Sequence, residues 1–292
     1  MTSWKAKAER GSAWLIHLIA WLARAAGRSV CRVLLYPIVL YFVATDRTAR
    51  RASREFLGLA CRRPATWLDV VDHLHCFATT LLDRVYMASG DFARFDVTVE
   101  GDSLVGDALE SGNGCVLLGS HLGSFDFMML KNRVLNNRPI TILMRVDERS
   151  RVRRIAGIDD SQVSIIPLGR FDSYLRAYEV LKKGGVVVAL ADRTENSAAL
   201  ESAFFGRPAA FPVGPHALAA RAGASVLMGF GLFEGGARYR IEFIEFGIAP
   251  TPPGSRGAAL QPAVDRYVAL LESYAARYPK NWFNFFPYWQ RS

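Results

Sequence analysis

Short runs rich in apolar residues alternate with longer stretches of helical spacing: "CVLLGS" (Cys115–Ser120), "ITILMRV" (Ile140–Val146), "VSIIPL" (Val163–Leu168) and "VVVALAD" (Val186–Asp192). A strand apolar at nearly every position has both faces buried, and intervening helices supply the cover. The chain is therefore expected to be α/β, with a mostly parallel central sheet flanked by helices. Such sheets bind ligands beyond the carboxyl ends of their strands. Residues that close these runs are the first places to look for chemistry.

Other segments fill in the pattern. "FDVTVEG" alternates with period two and reads as a strand, while "SVLMGFGLF" and "RYRIEFIEF" read as a strand pair. From Thr66, the residues Trp67, Val70, Val71, Leu74, Phe77, Leu81, Leu82 and Val85 recur at three and four, a helix. Helices are also expected from Ser124 to Leu135, from Arg151 to Ile155, over "DSYLRAYEVLKK" and "PHALAARAG", and from Pro262 to Arg277. A loop is expected after "VVVALAD".

The first sixty residues differ. Arg10, His17, Arg24 and Arg28 fall on one helical face, and Trp14, Leu15, Leu18, Ile19, Trp21 and Leu22 cover most of the rest. That pattern suits a helix lying in a membrane interface. "VLLYPIVLYFVAT" (Val33–Thr45) follows, interrupted by Pro37 and bounded by Arg47, Arg50, Arg51 and Arg54. It is shorter than the roughly 20 apolar residues of a span, so a monotopic or re-entrant anchor is expected, with the arginines at an anionic cytoplasmic surface. A buried pair of apolar helices is the alternative. The expected division is a membrane-associated helical segment over 1–62 and a catalytic α/β domain over 63–292.

A net charge of +9 suits an anionic partner. No zinc-finger spacing, basic zipper or ribonucleoprotein signature supports nucleic acid as that partner. The four cysteines are widely spaced without a C-x-x-C, as expected of buried thiols. In "HLHC" (His73–Cys76) the two histidines point to different faces of a helix, which favours a satisfied interior over a metal site.

"GSHLGSFDF" (Gly119–Phe127) puts His121 at the end of an apolar strand and Asp126 five residues later. Ser124 would cap the following helix, so Asp126 would sit in its first turn and could turn back onto the imidazole. A histidine oriented by a carboxylate is a general base. The same spacing also describes a polar turn that closes a buried strand. Ser120 lies outside a G-x-S-x-G elbow, so a serine hydrolase is disfavoured and the proton would come from a substrate hydroxyl.

"HLGSFD" resembles the H-x4-D/E motif of the lysophospholipid acyltransferase superfamily. "LADRTEN" (Leu190–Asn196) and "FFGRPAAFPVGPHALAARAGASVL" are similar, in order, to segments of its lipid A biosynthesis branch. "ERGSAWLIHL" and the closing "NWFNFFPYW" resemble an aryl polyene-associated subgroup of acyltransferases. The chain departs from the lipid A pattern in carrying Asp126 where Glu is usual and Arg193 where Gln is usual.

This resemblance implies a glycerol-phosphate acyltransferase-like αβ fold and an O-acyltransferase. His121 would be the general base and Asp126 its orienter. Arg145, Arg154, Asp192 and Arg193 would contact substrate, while Phe205, Gly206 and Pro212 would shape the acceptor loop. No metal or cofactor is implied. The donor would be acyl carrier protein or coenzyme A, and the acceptor a lipid or glycolipid. The place would be the cytoplasmic face of an inner membrane. Two alternatives stay open: a lipid or thioester hydrolase using the same dyad on water, and a non-catalytic membrane-binding relative. The terminal aromatics from Trp282 to Trp289 would form an interfacial belt or dock on the core.

Overall fold

A computed structural model describes residues 13–88, 90–124, 139–144, 163–194, 198–249 and 257–289, with side chains from residue 27 onward apart from residue 88. The described chain forms two compact units. One holds the chain up to Arg94 and from Ala275 onward; the other holds the chain between Phe95 and Tyr274.

The second unit contains the sheet. Its strands are β1 (Asp96–Glu100), β2 (Cys115–Gly119), β3 (Ile140–Met144), β4 (Val163–Pro167), β5 (Val186–Leu190), β8 (Ser225–Gly235) and β9 (Arg238–Glu245). They lie in the order β1-β9-β8-β2-β5-β3-β4. Every neighbouring pair is parallel except the β8–β9 hairpin. The expected α/β class and mostly parallel sheet are what the chain forms. β2 is buried at every position, and β5 at all but the last, which is why both read as continuous apolar runs. Leu117, Ile142, Val188 and Leu227 meet Val105 and Leu109 of α4 (Asp102–Glu110) in one core cluster.

After β2 the chain lays down β3, β4 and β5 on one side of β2, then β8 and β9 on the other. β2 is thus the point where the topology switches direction, the usual ligand-binding place in open α/β sheets.

One element departs from expectation. The stretch after β5 is a separate antiparallel hairpin, β6 (Ala199–Phe204) and β7 (Arg207–Pro212), not a loop. Both strands are partly exposed, and β7 carries two prolines. Neither therefore shows the apolar run that marks the buried strands. A two-strand ribbon tolerates prolines because half its backbone donors face no partner. Expected helices beginning at Ser124 and Arg151 run into stretches outside the described residues. Those over α5 (Ser173–Lys182), α6 (Gly214–Ala222) and α7 (Gln261–Arg277) are present.

The first unit is helical: α1 (Ala13–Thr45), α2 (Arg47–Ala60) and α3 (Trp67–Ala88). α1 breaks at Gly27 (φ 78°, ψ 162°), a conformation open to glycine, and runs on through Pro37. The break resets the helical phase, so Arg28 does not continue the face of Arg24. Its Nε and Nη2 instead donate to the two oxygens of buried Asp83 at 2.6 and 2.7 Å. The expected place for Arg28 among headgroup-facing cations is thereby corrected.

Beyond the break, Gly27–Thr45 is a 19-residue helix long and apolar enough to cross a membrane by length and composition. Cys31, Leu35, Val39 and Val43 form its buried stripe, while Val33, Leu34, Tyr41 and Phe42 are exposed. Arg50 turns back to the carbonyls of Val43 and Ala44 and closes the C-terminus of α1. Arg47, Arg51 and Arg54 form an exposed basic stripe on α2.

The terminal aromatics dock inward within this unit. Trp282 is fully buried against Phe56, and Phe283 and Phe285 pack on Phe77. His73 ties three segments together: Nε2–H donates to the Trp282 carbonyl (3.0 Å), which leaves Nδ1 to accept from the Ser53 hydroxyl (2.8 Å). His75 likewise meets the Arg32 carbonyl at 2.9 Å and stacks on Tyr36. "HLHC" is thus a satisfied helix interior.

Burial lowers His73 to about 4, and His216, in the other unit, also to about 4. An unfolded histidine titrates near 6.5. Between those values only the unfolded chain takes up the protons, so stability is full above pH 6.5 and falls toward pH 4. The expected loss approaches about 3 kcal/mol for each histidine. Thermal melts from pH 7.5 to 4.5 should show the fall, and His73→Gln should flatten it by about half.

Candidate active site

The site is built where β2 and β5 end. Gly119 of β2 pairs with Leu190 of β5. His121 lies two residues beyond the first and Asp192 two beyond the second, so equal offsets from a shared register bring them side by side. Their contact is bidentate. One carboxylate oxygen of Asp192 accepts the backbone N–H of His121 (2.9 Å), and the other meets the ring Nδ1 (2.8 Å).

This geometry fixes the tautomer. Nδ1 carries the proton toward Asp192, so Nε2 is left with a lone pair, the arrangement of a general base with its orienter. Asp192 is fully buried, whereas the His121 side chain is 31% exposed and so accessible. Burial by itself would raise the Asp192 carboxyl. The charge of His121, its ring and backbone hydrogen bonds and the adjacent Arg193 charge outweigh burial, and the net direction is downward. The carboxylate is therefore ionised where it faces the ring, and it stabilises the imidazolium that forms on proton transfer.

On its other side the His121 turn is clamped to β8. β2 and β8 stay in step from Cys115–Ser225 to Leu118–Met228, and the next bridge joins Gly123 to Gly231. The β2 side takes five steps where β8 takes three, a bulge that carries His121 out of the ladder. Bulges of this kind re-aim side chains beside active sites. Gly123 has φ 77°, and a Cβ there would lie 2.2 Å from the Gly231 carbonyl oxygen, so only glycine fits. The Ser124 N–H donates to that same oxygen at 2.6 Å.

A third anchor comes from α7. The Tyr267 hydroxyl donates to the Gly119 carbonyl (2.9 Å), which also accepts the Ala191 N–H (3.0 Å). Ser120 is buried, and its hydroxyl accepts from the Leu122 N–H at 3.3 Å. That contact stabilises the turn.

Of the expected site residues, the fold brings together His121, Asp192 and Arg193. Phe205 and Gly206, both with positive φ (51° and 71°), form the two-residue turn of the β6–β7 hairpin. The Phe205 N–H donates to Glu272 of α7. Pro212 ends β7 and is buried, its carbonyl 3.3 Å from His216 Nδ1. Asp126, Arg145 and Arg154 lie outside the described residues. Among the described residues, the carboxylate on the His121 ring is Asp192. The family resemblance gave it a substrate contact only; its signal in the sequence was its place at the end of an apolar strand. Tyr267 and Gly231 gave no such signal, because an isolated helix tyrosine or strand glycine has no distinguishing neighbours.

A 188-residue stretch, 62% of this chain, is 29% identical to phosphatidylinositol mannoside acyltransferase in two strains of Mycobacterium tuberculosis. The match spans 56% of each of those curated relatives, a little over half their length. Residues 80–291 match the profile of bacterial lipid A biosynthesis acyltransferases, a range that takes in β2, β5 and the His121–Asp192 pair. A match that extends over more than half the chain makes this protein a member of the bacterial lipid A biosynthesis acyltransferase family.

Proposed function

We propose that the protein moves a fatty acyl group from an acyl thioester to a hydroxyl of a lipid or glycolipid, with His121 as general base. The observation that carries this is the His121–Asp192 pair: a lone pair on Nε2, a locked tautomer and an ionised, buried orienter. In the reaction, Nε2 removes the acceptor hydroxyl proton as its oxygen attacks the thioester carbonyl. The tetrahedral oxyanion collapses with loss of the thiolate, and the imidazolium returns the proton to sulfur. No protein nucleophile is required.

The relatives support a glycolipid as the acceptor class. A mannoside of phosphatidylinositol is a glycolipid, and that is the acceptor named for the mycobacterial proteins. Arg193, beside the base, would meet an anionic part of the acceptor or donor, with Arg145 and Arg154 in the same role; Phe205, Gly206 and Pro212 would border the acceptor. Asp126 would add a second carboxylate near the ring. Acyl carrier protein, an acidic donor, suits the +9 chain, and coenzyme A is the other thioester of this chemistry. The exposed apolar face of Gly27–Thr45 and the Arg47, Arg51 and Arg54 stripe support association with the cytoplasmic face of an inner membrane. The opening "ERGSAWLIHL" and the closing "NWFNFFPYW" support membership of the aryl polyene-associated subgroup.

The test uses detergent-purified wild type and His121→Ala, labelled long-chain acyl carrier protein and total lipid extract of a Gram-negative host. Label should enter a lipid band with wild type, and His121→Ala should lose about 10³-fold or more. Wild-type label released only as free fatty acid would replace the transferase reading with a hydrolase. Equal incorporation by both proteins would remove His121 from the chemistry.

A further inference from the structure

The Ser124 side chain is buried (1% exposed), and its hydroxyl has no hydrogen-bond partner among the described residues. The neighbouring groups are by contrast satisfied. The Ser124 N–H is held at 2.6 Å by Gly231, and the Ser120 hydroxyl meets Leu122 N–H. A buried polar group left unpaired costs stability, so its presence calls for an explanation. Here the group stands three residues from the proposed base, at most about 10 Å of extended chain away. The bulge shortens that span further, because five steps on the β2 side cover three on β8. The Gly123–Gly231 clamp fixes the backbone that carries the hydroxyl.

We propose that Ser124 is a substrate-contacting residue of the His121 site, its hydroxyl completing its hydrogen bonds only when a substrate oxygen is bound. The proposal rests on the acyl-transfer reading. Ser124 has the chemistry of a neutral donor and acceptor, which suits two oxygens of that reaction: the thioester carbonyl as it becomes an oxyanion, or the attacking hydroxyl of the acceptor. Neither contact is needed to hold the resting fold, and so the hydroxyl is dispensable for stability and not for turnover.

That separation gives the experiment. Wild type, Ser124→Ala, Ser124→Thr and His121→Ala are compared for acyl transfer at varied donor and acceptor concentration, and for thermal midpoint. Removing an unpaired buried hydroxyl should leave the Ser124→Ala midpoint unchanged or raised. Its kcat/KM should fall about 100-fold, as for loss of one transition-state donor, and Ser124→Thr, which keeps a hydroxyl, should recover part of it. A fall confined to kcat assigns the contact to the oxyanion; a rise in KM for the lipid assigns it to the acceptor hydroxyl. A kcat/KM of Ser124→Ala within threefold of wild type for donor and lipid alike overturns the proposal, and so does a midpoint that falls together with activity. The acyl-transfer reading fails separately, through a wild type no more active than His121→Ala, and the proposal falls with it.

Discussion

Asp192→Asn is expected to lower acyl transfer by about 10³–10⁴-fold while leaving the protein folded. The reason is a count of donors. Asp192 faces two N–H groups of His121, the backbone amide and Nδ1–H, with one oxygen for each. An asparagine offers one oxygen and one NH2. The backbone N–H cannot give up its proton, so the amide oxygen stays there and the NH2 turns to the ring. Nδ1 must then accept, the proton moves to Nε2, and the lone pair that the proposed base uses is gone. Size and burial hardly change, so the thermal midpoint should shift by only a few degrees. Steady-state kinetics on the purified variant check this, with Asp126→Asn measured alongside. A loss confined to Asp126→Asn would take the orienting role away from Asp192.

Gly123→Ala is expected to destabilise the protein by about 3 kcal/mol or more, with transfer lost. The new methyl would sit 2.2 Å from the Gly231 oxygen and 2.8 Å from its carbon, and both belong to backbone that no rotamer change can move. The turn would have to lift off β8, breaking the Ser124–Gly231 hydrogen bond and displacing His121 from Asp192. Gly112→Ala is the matching control. Gly112 has a similar φ (74°) with nothing within 4 Å of its added Cβ, so it should cost only the about 1–2 kcal/mol of left-handed backbone. Thermal or denaturant unfolding of the two variants separates the clash from the conformational strain. Equal losses would mean that close approach to Gly231 contributes nothing.

Much of the architecture was legible in the residues. β2 and β5 announced themselves as strands because both their faces are buried, and burial writes itself into hydrophobicity one residue at a time. The helix over Trp67–Ala88 was legible for the same reason, its apolar side chains returning every three or four residues to the packed face. His121 could be placed at a strand end, and the strand end marked as the ligand side, before any pairing was known. Arg28 shows the limit of such reading: its spacing from Arg24 predicts a shared face only if the helix is unbroken, and the Gly27 kink sends it to Asp83 instead. The β6–β7 hairpin escaped notice because partly exposed strands with prolines carry no period-two apolar signal.

What the sequence by itself determined, then, is everything written in local periodicity: the α/β class, the buried strands, the apolar helix near the start and a histidine at the mouth of the sheet. Only the tertiary structure decided that β5 lies beside β2, and with it that Asp192, 71 residues from His121, meets the imidazole. Apolar strands are nearly interchangeable as neighbours in their own sequences. Strand order is settled by the helices and crossovers that must all pack at once, and such long-range choices leave no mark at any one residue.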